Sequence, residues 1–270
     1  MSEPLPAIPP PIAITDRDDP RIAVFQSLKE RDRIGRDGIF IAEGATVLAV
    51  FLRAPVERLA ILVEEGRVER LPMLAGRGAT PLYVAPQGVL DGIAGYHLHR
   101  GILAAGRIPV SASVAALPAG PLRLPVLVGL ANHDNVGGIY RNAAAFGAAA
   151  VAIDGGSADP FYRKAIRVGV GAPLIMPSIR FGDGGALLTA LREAGVTPYA
   201  LSPGAADVLG ATPLAPRAAF LLGTEGPGLP EGLMAAAMPL RIAIAAGFDS
   251  LNVATTSGIA LHAHVLEHGL

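Results

Sequence analysis

The chain has 270 residues and a formal net charge of −1, with 51% hydrophobic against 17% charged residues, a balance that supports a sizeable core and excludes bulk disorder and a polycationic nucleic-acid binder. It contains no cysteine, which removes disulfides, thiolate zinc sites, cysteine-held iron–sulfur clusters and every cysteine nucleophile. Glycine and proline number 33 and 24 without a triplet period, so the chain reads as a loop-rich globular protein.

Residues 1–15 hold five prolines and no periodicity and predict a flexible, extended arm. The arm lacks a basic start and an apolar run, so no secretory signal is expected and the cytoplasm is the default location. From Pro20 onward, Ile22, Phe25 and Leu28 recur at helical spacing and predict a helix. A second helix over 45–52 and apolar strands over 59–63 and 81–84 complete a small α/β unit, residues 16–105. The run 107–125 contains four prolines and reads as a connector, with 106–122 as the linker.

Residues 123–270 alternate short apolar strands with helices: 124–130, a helix to Phe146, 148–153, a helix near Lys164, 173–179, a helix around Leu187, 197–201, 218–223, 241–245 and a long C-terminal helix. Strands apolar throughout are buried on both faces, which predicts a mostly parallel sheet between helices. The uncharged stretch 250–266 is interrupted by polar residues, so no membrane helix is expected. In such a fold ligands bind beyond the carboxyl ends of the strands. Three loops stand there.

The first reads ANHDNVGGIYRNAAAFG over 131–147. Asn132 and Asn135 serve equally well as turn and N-cap residues. Arg141 is the one charge between 135 and 153, and a lone arginine in such a run has a designated anion. The second reads GTEGPGLP over 223–230, where Glu225 is the only charge from 218 to 230 and three glycines permit close backbone approach to a ligand. The third opens the last helix with DSLNVA, 249–254; Asp249 or Ser250 is a candidate N-cap, and Asn252 faces the same crevice.

Together these loops, with RDGIFIAEGATVLAVFL and HRGILAA in the first half, resemble the SpoU-type, or TrmH-type, RNA 2′-O-ribose methyltransferases of the SPOUT superfamily from about residue 16 to the end. The resemblance implies a C-terminal α/β domain with a deep trefoil knot, a smaller N-terminal α/β RNA-recognition domain, an S-adenosyl-L-methionine pocket formed by the second and third loops, a homodimer, and no metal. Carried over by position, Asn132, Arg141, Glu225, Ser250 and Asn252 resemble the catalytic set, and Gly223, Thr224, Gly228, Ile242 and Leu251 the cofactor-binding set. RNA contacts fall to Arg31, Arg33, Arg36, Arg163 and Lys164, from two basic clusters that, taken alone, are solvated helix faces. Departures from the family pattern are Gly169, where serine is common, and Arg100, where glutamine is frequent. They bear on RNA specificity more than on the reaction.

The expected reaction is methyl transfer to a ribose 2′-hydroxyl of structured RNA, ribosomal first and transfer RNA second. Competing readings are an RNA-binding protein with a vestigial cofactor site, and an ordinary doubly wound nucleotide-binding enzyme. The last lacks support, because neither a dinucleotide-binding glycine fingerprint nor a P-loop occurs in the required context. His262, His264 and His268 read as a solvent-facing run rather than metal ligands, His97 and His99 as polar contacts, and His133 as a surface residue.

Overall fold

The computed structural model of the chain describes residues 8–26, 38–95, 97–224 and 226–270. The chain divides into two compact units, Met1–Pro109 with Phe161–Leu174, and Val110–Pro160 with Ile175–Leu270.

The first unit contains β1 (Ile12–Ala13), β2 (Ile39–Glu43), α1 (Ala45–Phe51), β3 (Arg58–Glu64), β4 (Leu82–Ala85), α2 (Gln87–Ala94) and β5 (Ile102–Arg107). Its sheet runs β1-β4-β3-β5-β2, with β4 parallel to β1 and β3, and β5 antiparallel to β3 and β2. Alternation along the strands divides the core. Phe40, Ile61, Val63 and Ala104 pack with Leu48 and Phe51 of α1, while Leu62, Leu103 and Ala105 pack with Ile22, Phe25 and Leu90.

Two expectations change here. The arm is tied down over its described part: β1 pairs with Tyr83 and Val84, the Ile14 amide donates to the Val84 carbonyl at 2.8 Å, and Ile14 is buried. Prolines 9–11 favour extended backbone, and Ile12 and Ile14, two apart, meet the same cluster. The helix from Pro20 is a 3₁₀ turn, Pro20–Phe25, capped by Asp19 and ended by extended backbone at Gln26. Leu28, Arg31, Arg33 and Arg36 lie outside the described residues.

In the second unit the expected linker is packed. The Ala112 amide donates to the Ser178 carbonyl at 2.8 Å, and Val114 and Leu117 rest on the core. Then follow β6 (Leu122–Leu127), α3 (His133–Ala145) and β7 (Val151–Asp154). The chain next enters the first unit as α4 (Arg163–Val168), where Phe161, Ile166 and Leu174 are buried with Phe40 and Phe51. These residues were expected to stay with the C-terminal domain; their apolar side chains complete the other core. The second unit resumes with β8 (Ser178–Phe181), α5 (Gly184–Glu193), β9 (Thr197–Leu201), β10 (Arg217–Leu222), α6 (Glu231–Ala235), β11 (Met238–Leu240) and α7 (Val253–His268).

The second sheet runs β11-β9-β10-β6-β7-β8 and is parallel throughout. Leu124, Val126, Ala152 and Leu221 face Leu187, Leu188 and Leu191 of α5, and on the other side Tyr199, Phe220 and Leu240 face Ala260 and Leu261 of α7. The expected α/β architecture is present. Two strands shift. Pro173 and Pro177 cannot donate to a ladder, so the chain makes a 3₁₀ turn over Ala172–Leu174 and the strand begins at Ser178. The ladder expected over 241–245 lies at Met238–Leu240, after which only an isolated bridge joins Arg241 to Val208.

Candidate active site

The first loop is fixed from below by β7. Asp154 Oδ2 accepts the Gly129 amide at 3.0 Å, its Oδ1 accepts the Ser157 hydroxyl at 2.6 Å, and that hydroxyl accepts the Leu130 amide at 3.0 Å. Asn132 is the N-cap of α3, its side chain accepting the Asp134 amide at 2.8 Å. Arg141 is exposed and makes no hydrogen bond or ion pair among the described residues.

The other face of α3 meets α7. Asn142 Nδ2 donates to the Ala254 carbonyl at 2.7 Å and to the Ser257 hydroxyl at 3.0 Å. A Cβ on Gly138 would come within 2.9 Å of the Ala254 Cβ, so glycine is what allows this close approach. Asn252 caps α7 by accepting the Ala254 and Thr255 amides, and its Nδ2 donates to Oδ1 of the buried Asn135 at 2.9 Å. The first and third loops are thereby joined through two asparagine side chains.

The second loop folds back on itself. Thr224 and Gly228 exchange backbone hydrogen bonds at 3.2 Å. A Cβ on Gly223 would lie 2.5 Å from the Gly228 carbonyl carbon and 2.6 Å from the Leu229 nitrogen. Gly223 is therefore required by the loop's own return, before any ligand is considered. Glu225 lies outside the described residues.

Between the second and third loops is a cavity of about 650 Å³ at the carboxyl ends of β9, β10 and β11, where Leu201, Leu222 and Leu240 form its floor. Gly223, Thr224, Gly228, Ile242, Ser250, Leu251 and Asn252 line it, as do Val253 and Thr256 from the first turn of α7. Asn132 and Arg141 are not in its wall. Arg163 and Lys164 belong to the first unit, where Arg163 lies 3.4 Å from the buried carboxylate of Glu43. The volume suits a nucleoside-sized ligand, and an apolar wall with a few convergent polar groups is the usual form of such a site. Asp154, Ser157, Asn135 as partner of Asn252, and Asp249 in the cavity wall were not predicted as site residues.

Two buried titratable groups in the second unit, His264 and Tyr140, are structural. His264 is fully buried, contrary to the solvent-facing reading. Its Nε2 lies 3.2 Å from the carbonyls of Ala215 and Pro216, and burial lowers its pKa, helped by Arg123 and His268. Burial raises the pKa of Tyr140, whose hydroxyl lies 2.7 Å from that of Ser178. In the first unit His97 Nδ1 sits 2.8 Å from Asp91, whose carboxyl is held down to about 2 by that contact and by the Leu98 amide. His133 is half-buried. Among the described residues there is no cluster of three or more metal-ligating side chains, and no helix is long and apolar enough to cross a membrane.

Residues 123–262 match the SpoU rRNA Methylase family. The chain is 40% identical over 261 residues to an uncharacterized tRNA/rRNA methyltransferase of Mycobacterium tuberculosis (strain ATCC 25618 / H37Rv), covering 92% of this chain and 90% of that one. It superimposes with a TM-score of 0.80 on the crystal structure of an RNA 2′-O ribose methyltransferase, at 26% identity and covering 96% of this chain and 100% of that one. An AdoMet-bound rRNA methyltransferase from Sinorhizobium meliloti shares the fold, with a TM-score of 0.81, 22% identity, and 95% and 98% coverage.

Proposed function

The chain belongs to the SpoU rRNA methylase family, and from that premise we propose that it methylates a ribose 2′-hydroxyl of structured RNA, ribosomal RNA before transfer RNA, using S-adenosyl-L-methionine. The observation that carries this reading is the cavity between the second and third loops, joined to the first loop through Asn252 and Asn135. Its shape fits a nucleoside-containing cofactor: an apolar floor, glycine backbone along one wall and a capped helix start along another. Gly223, Thr224, Gly228, Ile242 and Leu251 hold the cofactor, largely through backbone groups. When bound, S-adenosylmethionine supplies the electrophilic methyl group.

The polar set does the remaining work. Ser250 and Asn252 keep the third loop in register with the cavity, and Asn132 shapes the start of α3. Arg141 clamps the RNA phosphate and stabilises the developing alkoxide. A guanidinium stays protonated at neutral pH and is therefore a poor proton acceptor, and its planar fork suits a phosphate bidentately. Glu225 supports Asn132 or Arg141. The first unit supplies RNA affinity through Arg31, Arg33, Arg36, Arg163 and Lys164.

The same reading includes the deep trefoil knot, a cytoplasmic location and a homodimer. Exposed Ile259 and Leu266 on α7 support the last as an apolar surface for a second copy. The test is methyl transfer from labelled cofactor to ribosomal and transfer RNA, followed by mapping of 2′-O-methyl sites in RNA from cells with and without the protein. Label on a base rather than on ribose, or none on either RNA, counts against the proposal. Sedimentation as a monomer with full activity counts against the dimer.

A further inference from the structure

S-adenosylmethionine brings an α-ammonium, an α-carboxylate and a sulfonium into its site, so its net charge is positive. The cavity wall is otherwise poorly suited to a cation. It consists of apolar side chains, hydroxyls, an amide and loop backbone, and it includes the first turn of α7, where the helix dipole places a partial positive charge. A cation beside that helix start needs a compensating anion.

Asp249 is the one ionisable side chain in the wall among the described residues. Its carboxylate makes no hydrogen bond or ion pair among those residues, and it is exposed. Three other acids of this unit have structural tasks, and none of the remaining described ones lines the cavity. Asp154 holds the first loop through Gly129 and Ser157, Asp183 caps α5, and Glu267 accepts the Leu214 amide. Asp249 is not the cap of α7, because Asn252 fills that position. Nothing in the described fold employs it, and it borders the cavity.

Resting on the cofactor reading above, we infer that Asp249 receives the α-ammonium of S-adenosylmethionine and so sets the pocket's preference for ligands that keep the amino-acid end. An ammonium offers three N–H donors to a carboxylate, and such charge-assisted hydrogen bonds are short and directional. The sulfonium has no donor and gains only from charge.

Calorimetric titration of the full-length protein tests this with three ligands. S-adenosylmethionine has both cations, S-adenosylhomocysteine keeps only the ammonium, and 5′-methylthioadenosine has neither. Asp249→Asn is expected to weaken the first two about tenfold each, a value reduced for solvent exposure, and to leave the third within about twofold. Asp249→Glu should recover part of the loss, and the melting temperature should stay unchanged in both variants. Equal weakening of all three ligands would mean that the substitution disturbs the wall, which overturns the assignment. Loss confined to S-adenosylmethionine would move the residue to the sulfonium, and no loss would leave it without this role; both overturn it. So does a silent Asp249→Asn alongside a Glu225→Gln that weakens the two amino-acid-bearing ligands. Wild-type protein that binds none of the three would overturn the cofactor reading itself, and this inference with it.

Discussion

The side-chain amide of Asn252 donates to that of Asn135 across 2.9 Å, joining residues 117 positions apart in the chain. Asn252 also caps α7, so two effects of one residue are separable. Asn252→Ser keeps a cap but does not reach Asn135; Asn252→Ala loses both. The cap contributes about 1 kcal/mol, and removing a donor from a buried amide oxygen costs about 1–3 kcal/mol. Urea unfolding should rank wild type above Ser and Ser above Ala, with a gap of about 1 kcal/mol between the variants. Coincident curves for Ser and Ala would show that the cap adds nothing.

Gly223 makes a sharper local test. An added Cβ would meet the backbone of Gly228 and Leu229 at 2.5–2.6 Å, and backbone cannot move aside without opening the loop. Gly223→Ala should therefore abolish cofactor binding while the sheet stays folded, seen as lost binding heat with far-ultraviolet circular dichroism retained. Gly226→Ala has open space around the new carbon but a φ of +106°, and should cost about 1 kcal/mol with weaker effects on binding. Normal affinity in Gly223→Ala would rule out the folded-back loop as part of the pocket.

The parallel sheet was legible because LPVLVGL, TPYAL and AAFLLG are apolar along their whole length, a pattern that only two-sided burial explains. The cavity-lining loops were legible because sheet polarity places them beyond the strand ends. What stayed hidden depended on distant partners. β2 and β5 pair antiparallel across some 60 residues of intervening chain, and neither carries a local turn signal. The tie of Phe161, Ile166 and Leu174 to the first core is invisible to periodicity, because a short helix states which of its residues are apolar but not which core they enter. Asp154 ends β7 with no local pattern to mark it, because its task is to hold Gly129 and Ser157 with its two carboxylate oxygens. His264 was misread because its neighbours His262 and His268 are not fully buried, while Phe220 lies edge-on to it.

That buried histidine predicts a pH response with a defined sign. Its folded pKa is lowered from the ordinary 6.5, first by burial and then by Arg123 and His268. Folding favours the neutral ring, so its stabilising contribution is complete above about 6.5 and is lost as pH falls below that value. Urea midpoints should drop between roughly pH 7.5 and roughly pH 5.5. His264→Gln keeps a neutral donor for the Ala215 and Pro216 carbonyls and should drop less. An equal drop in both proteins would assign the response to other groups.

The exchange of residues 161–174 changes what a truncation can show. Removing 1–105 deletes Phe40, Phe51 and Ile61, against which Phe161, Ile166 and Leu174 are buried, and takes Glu43 away from Arg163 and Arg167. Each large apolar side chain left in water costs about 1.5–3 kcal/mol. The simple deletion should aggregate, whereas the same deletion with 161–174 replaced by a Gly-Ser linker should elute as a single species. The repaired form is expected to bind S-adenosylmethionine within about threefold of the full chain, a small fraction of the binding free energy, and to lose RNA affinity together with its salt dependence. A simple deletion that is monodisperse and melts like the full chain would contradict the shared core.

Arg141 separates a working site from a folded scaffold. It is exposed on α3, makes no hydrogen bond or ion pair among the described residues, and is absent from the cavity wall. Arg141→Lys should accordingly leave stability within about 0.5 kcal/mol and cofactor affinity within about threefold. It keeps the positive charge but loses the planar fork, and that exchange is not conservative at a bidentate phosphate site. Methyl transfer should fall roughly a hundredfold or more, the scale of losing one preorganised electrostatic group. RNA with a 2′-deoxy sugar at the target should bind without reacting, which separates recognition from chemistry. Near-normal turnover in Arg141→Lys would remove the clamp from the mechanism. Loss of cofactor binding along with turnover would instead make Arg141 a support of the pocket, against the separation seen between its position and the cavity.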